Sequence, residues 1–110
     1  MTIAIQLDAH AACSRKFGAD PRMVFLGGGN TSYKTDSTLY IKPSGVALAT
    51  MKPEQFVALD RVELRTVFTE EMPAENAQRE ARVQQLMAAA VRPLGAGRPS
   101  VEAPLHEVIP

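Results

Sequence analysis

The chain contains no tryptophan, a single cysteine, two tyrosines and four phenylalanines in 110 residues. So few aromatic rings argue against a surface that stacks nucleobases. The lone thiol, Cys13, cannot form an internal disulfide, which fits a reducing compartment. Neither sign of charge is in excess, since 12 Lys and Arg balance 12 Asp and Glu. No basic field draws in nucleic acid, and no polybasic run suggests a membrane surface. No apolar stretch approaches the ~20 residues of a bilayer-spanning helix. The N-terminus lacks the basic region and long apolar core of a secretory signal. These absences lead to the expectation of a cytoplasmic protein with no nucleic-acid and no membrane partner. Histidine is scarce too. His10 and His106 lie far apart without a second ligand at metal spacing, so both read as surface or packing residues.

What remains is the composition of a folded domain, 45% apolar and 22% charged, with length enough for one small domain or part of a larger one. The segment up to Phe17 reads as a helix with Ile5, Ala9, Ala12 and Cys13 on its apolar face, Gly18 as its C-cap and Asp20-Pro21 as the following turn. The apolar run Met23 to Leu26 predicts a buried strand entering a glycine triplet. Thr31 to Lys34 predicts a second strand. Leu39 and Ile41, alternating with Thr38, Tyr40 and Lys42, predict a half-buried third. Lys52-Pro53-Glu54 reads as a turn, and Phe56 to Leu59 as a further strand. A long helix is expected between about Ala74 and Val91, its core face built by Val83, Leu86, Met87 and Ala90. Pro99 fits the first position of a last helix. Helices around hairpin-like strands imply an α/β fold with a largely antiparallel sheet.

Three short segments carry an inventory suited to chemistry. Gly27-Gly28-Gly29-Asn30-Thr31-Ser32 offers backbone N–H groups free to approach a ligand, plus one amide. Lys42-Pro43-Ser44-Gly45 ends a strand in a small-residue turn. Arg98-Pro99-Ser100-Val101-Glu102 sets a hydroxyl and a carboxylate at a helix start. Together they suit holding a phosphate while a carboxylate moves a proton. Each also has an ordinary reading: a flexible hairpin turn, a strand-ending turn, and a capping serine with an acid that complements the helix dipole. A Rossmann fingerprint is excluded because the spaced third glycine is missing and a strand follows. A P-loop is excluded because no Gly-Lys-Ser/Thr is present.

The order and spacing of the three segments go further than any one of them. The stretch SRKFGADPRMVFLGGGNTSYKTDSTLYIKPSGVALATMKPEQFVALD, with the closing RPSVEAPLHEVIP, resembles the N-terminal part of the class II aldolase/adducin family. It is most similar to the subgroup in which a rhamnulose-1-phosphate aldolase-like domain is fused to a short-chain dehydrogenase. The resemblance implies a three-layer α/β/α fold with a mostly antiparallel central sheet, here truncated. It implies that residues 1–110 form the N-terminal portion of one such domain, and that the full-length protein forms a homo-oligomer, usually a tetramer. It further implies a sugar-phosphate substrate, cleaved by a retro-aldol reaction through a metal-stabilised enediolate. Gly29, Asn30, Ser44, Gly45 and Ser100 would bind the phosphate, and Glu102 would be the catalytic acid/base.

Val101 stands where simpler members carry a hydroxyl, so only its backbone N–H can serve there. The family's divalent metal, zinc by resemblance, is held by three histidines that would lie beyond Pro110. A metal-free fragment of an aldolase-like enzyme, inactive alone, is therefore the leading expectation. A non-catalytic adducin-like structural or regulatory module, or a truncated reading frame without independent function, are its alternatives. Purified, tag-free chain is expected to carry no stoichiometric zinc, which elemental analysis checks directly.

Overall fold

The computed structural model describes residues 2–25 and 28–110. Strand alternation decides its centre. Strand β1 is Ser32–Lys34, β2 Thr38–Ile41 and β3 Val57–Asp60, and they form an antiparallel sheet in the order β1-β2-β3. The register pairs Leu39 with Leu59 and Ile41 with Val57. Period-2 geometry puts all four on one face, where they are buried. Against this face pack helices α2 (Arg61–Leu64), α4 (Asn76–Ala90) and α5 (Ala103–Val108), through Leu64, Met87, Ala90 and Ala103. A short helix α3, Thr66–Thr69, links α2 to the segment before α4. The other face presents Tyr40 to a second cluster. That cluster joins Leu7 and Ala11 of α1 (Ile3–Gly18) to Leu48, Met51 and Phe56. The result is helix, antiparallel sheet, helix, as expected.

Helix α4 starts at Asn76, where the Glu75 carboxylate accepts from the N–H groups of Ala77 and Gln78. Met87 and Ala90 are its buried residues, with Val83 and Leu86 half-buried beside them, in agreement with the expected stripe.

Four expectations are corrected. The residues Met23 to Phe25 form no strand. Met23 and Val24 both donate to the carbonyl of Asp20 in a turn, and the Met23 and Phe25 side chains are exposed. Leu26 and Gly27, which complete that expected strand and the triplet, lie outside the described residues. The inward face of α1 is not Ile5, Ala9, Ala12 and Cys13, all of which are exposed. It is Leu7, His10, Ala11, Ser14 and Gly18. Ser14 is fully buried because its hydroxyl donates to the His10 carbonyl and meets the Thr31 hydroxyl at 2.6 Å. Gly18 is not a left-handed cap. It is where α1 touches the 3-10 turn Leu48–Thr50, and a Cβ there would sit 2.5 Å from the Ala49 nitrogen. Finally, Pro99 does not open the last helix. It forms an isolated antiparallel bridge with Pro43, and α5 begins at Ala103 with Pro104 in its first turn.

Glu107 is buried and ties α5 to α2. The Arg61 guanidinium reaches it at 2.8 Å and that of Arg65 at 3.0 Å. Burial by itself would raise the Glu107 pKa. The two guanidinium groups outweigh it and hold the carboxyl below the ordinary glutamate value.

Two stability measurements follow from these contacts. Gly18→Ala should cost roughly 1–3 kcal/mol in denaturant unfolding, because the added methyl meets backbone that has no room to yield. Glu107→Gln should cost about 3 kcal/mol at pH 7 by leaving the arginines unpaired. A carboxyl with a depressed folded-state pKa stabilises above its unfolded pKa, and loses that contribution as pH falls through the folded value. The gap between wild type and Glu107→Gln should therefore close below about pH 4, as read by circular dichroism across an acid series.

Candidate functional site

The segment after β2 and the segment before α5 are brought side by side by two backbone hydrogen bonds. Ser44 N–H donates to the Arg98 carbonyl at 3.0 Å, and Ser100 N–H donates to the Lys42 carbonyl at 3.2 Å. Lys42 N–H in turn donates to the Thr31 carbonyl at 3.4 Å, which draws in the end of the glycine-rich loop. Three segments distant in sequence thus border one cleft of about 230 Å³. Its lining includes Gly29, Asn30, Lys42, Ser44, Ser100 and Glu102. All the site residues anticipated from sequence, Gly45 among them, lie on it.

Two glycines are required by backbone conformation. Gly29 has φ +88°, and a Cβ on it would meet the Val24 side chain at 2.8 Å. Gly45 has φ +86° with open space around it, so conformation alone demands glycine there.

The polar groups converge on Asn30. Its Nδ2 donates to Ser100 Oγ at 2.6 Å and to Glu102 Oε2 at 2.9 Å. Its Oδ1 is buried without a partner among the described residues. Ser100 Oγ also accepts from Glu102 N–H at 3.3 Å, so the hydroxyl accepts twice and its own proton remains to donate. Ser44 is exposed, and among the described residues the backbone N–H groups of Gly45 and Val101 engage no acceptor. The cleft therefore offers free donors at its rim and a half-exposed carboxylate at one side. Helix α5, with six residues, is short, and the Glu102 side chain makes no cap hydrogen bond to it. The donors come from loop backbone and side chains, not from a long helix dipole.

Sequence reasoning missed Lys42 as a site residue, since strand alternation assigned it to the polar face. It is buried, and its ammonium donates to the carbonyls of Val46 at 2.7 Å and Pro43 at 3.2 Å. Among the described residues it has no carboxylate partner. The available signal was its position directly before Pro43-Ser44-Gly45, where an extended chain must turn and a long side chain can follow it.

His10 packs on Phe56, ring centroids 5.2 Å apart, in keeping with a packing role. Among the described residues no three His, Cys, Asp or Glu side chains gather where they could hold a metal. These residues do not fit a three-ligand centre. A separate, apolar groove of about 260 Å³ runs beside α4, lined by Met87, Gly97, Pro99 and Val101 among others, and gathers no comparable set of donors.

Residues 8–109 match the family described as the class II aldolase and adducin N-terminal domain. The chain belongs to this family. A solved structure described as the N-terminal class II aldolase domain of a conserved protein from Thermoplasma acidophilum is similar to it. The TM-score is 0.74 and the identity 27%, over 91% of this chain and 48% of that one. The chain thus spans about half the length of that solved relative. No curated protein gives a significant match. Membership in the aldolase/adducin family agrees with the observed helix, antiparallel sheet and helix layering, and no described helix is long and apolar enough to cross a membrane.

Proposed function

We propose that the cleft is the phosphate-binding and proton-transfer part of a class II aldolase acting on a sugar phosphate, and that this chain is the N-terminal portion of that domain. The observation that carries the reading is Lys42, a buried lysine whose ammonium, among the described residues, meets only neutral carbonyls, within a cleft whose rim donors find no acceptor among those residues. A buried charge without a counter-charge is costly. An anion in the cleft offsets that cost and takes the N–H groups of Gly45 and Val101 and the hydroxyls of Ser44 and Ser100. Asn30 already spends both amide hydrogens on Ser100 and Glu102. Its main part is to hold these two side chains at a fixed spacing, so that phosphate and carboxylate address one substrate.

Glu102 serves as the acid/base in this reading. It takes the hydroxyl proton of the substrate as the carbon–carbon bond breaks to aldehyde and enediolate, and returns it to the enediolate carbon to complete the ketose phosphate; condensation runs the same transfers in reverse. The family's divalent metal, zinc by resemblance, and the tetramer belong in this reading to the full-length protein. No step is assigned here to a metal, since the described residues do not assemble its ligands.

Titration with inorganic phosphate, followed by amide chemical shifts, tests the cleft. The expected result is a saturable response at Gly45, Ser100 and Val101, weakened about 10-fold or more by Ser100→Ala, which removes a hydrogen bond to a charged group. In a full-length parent, Glu102→Gln should leave phosphate affinity nearly unchanged and lower turnover by about 10²–10⁴-fold. Equal turnover would reduce Glu102 to a scaffold residue. Absence of any phosphate response in the cleft would favour a non-catalytic module.

A further inference from the structure

His106 lies on α5, one turn past Glu102 at its N-cap, and among the described residues is the one histidine near the cleft. Its ring is mostly buried, with the side chain 19% exposed. Nδ1 meets Ser32 Oγ of β1 at 2.6 Å. Nε2 faces Glu102 Oε2 at 3.8 Å, inside ion-pair range but long for a hydrogen bond. That same oxygen is the one that accepts from Asn30. The other oxygen, Oε1, accepts no hydrogen bond among the described residues.

The charged groups around the ring are few. Glu102 faces it from its own helix. Lys34 of β1 lies alongside and donates to the His106 carbonyl at 2.9 Å. Burial lowers the His106 pKa, Glu102 raises it, and Lys34 lowers it, with a net fall below the ordinary histidine value. The ring is then neutral at pH 7 and carries one N–H. If that proton were on Nδ1, the Nε2 lone pair would confront a carboxylate oxygen. With the proton on Nε2, the ring presents a donor to the carboxylate, and the Ser32 hydroxyl donates to Nδ1. The carboxylate selects this tautomer, and the serine, able to donate or accept, accommodates it.

We propose that neutral His106, oriented by Ser32 and held as its Nε2–H tautomer by the facing carboxylate, is a positioning residue for Glu102. With Asn30 it holds Oε2, so that Oε1 is the oxygen that exchanges the proton with substrate. The proposal rests on the reading of Glu102 as the proton-transfer group. It adds a division of labour between two oxygens of one carboxylate, and a second polar tie from β1 to α5.

Long-range ¹⁵N–¹H correlation spectra of the ¹⁵N-labelled chain read the tautomer directly. The expected pattern is a protonated-type Nε2 and an unprotonated-type Nδ1 for His106 at pH 7 to 8. Glu102→Gln, which keeps shape and removes charge, should lower the His106 titration midpoint. Ser32→Ala, which frees the ring from β1, should weaken that dependence on Glu102. A wild-type ring protonated on Nδ1, or a midpoint unmoved by Glu102→Gln, would overturn the proposal. Should Ser32→Ala fail to fold, the wild-type tautomer and the Glu102→Gln midpoint decide the matter between them. Inorganic phosphate added to the same samples separates this proposal from the reading beneath it. A phosphate response at Gly45 and Val101 with the wrong tautomer sinks the positioning role alone. The right tautomer and coupling with no phosphate response sink the functional reading and keep the pairing.

Discussion

Two hydrogen bonds between Lys42–Ser44 and Arg98–Ser100 are the constraint on which the site depends. Among the described residues they are the only backbone hydrogen bonds between the two segments, centred on two prolines that pair as an isolated bridge. In this register both proline nitrogens face away from the partner segment, and the Lys42 N–H goes to the Thr31 carbonyl, which ends the ladder. It is confined to one rung on each side, and beyond it both chains are free to diverge. One diverges as the Ser44-Gly45 turn, the other as the turn carrying Ser100 and Glu102. The cleft is the space between these divergent ends. Asn30 spans it, and the hydroxyl contact between Ser14 and Thr31 anchors the Asn30 end to the first helix.

The fold holds two buried charges and treats them in opposite ways. Glu107 meets two guanidinium groups in close geometry, and its charge is answered inside the protein. Breaking such a pair is far more harmful than never having built it, which makes Glu107 a residue of architecture. Lys42 meets carbonyl dipoles and no opposite charge among the described residues. Dipoles solvate a cation without neutralising it. The contrast separates a group whose environment is complete from one whose environment has room for an anion.

Much of this was legible in the sequence, and the failures have identifiable physics. Leu39 and Ile41 announced their strand by alternation, because a half-buried sheet leaves a strict period of two, and the next strand was expected at Phe56 to Leu59. The grouping of the three site segments was legible only in their order and spacing, since each alone also reads as an ordinary turn or cap. The inward face of α1 was not. Alanine is weakly informative about burial, and the true face includes Ser14 and Gly18, which hydrophobicity ranks low. Ser14 is buried because Thr31 supplies a partner from elsewhere in the chain, and Gly18 because a neighbouring backbone comes within contact. Neither neighbour is visible in the local pattern. Met23 to Phe25 failed for the converse reason, an apolar run that is largely exposed in a turn. Lys42 failed because alternation counts charge as outward and takes no account of a side chain curling onto its own turn.

Val101 borders both the polar cleft and the apolar groove along α4, with its side chain largely exposed and its backbone N–H without an acceptor. Main chain and side chain of one residue thus answer to different surroundings. Almost any L-residue supplies the N–H equally well, so the anion contact proposed for this position does not depend on its side chain. Such a contact runs through the backbone alone. It leaves the position at liberty to drift under whatever the groove demands, with proline the one substitution that the cleft itself forbids.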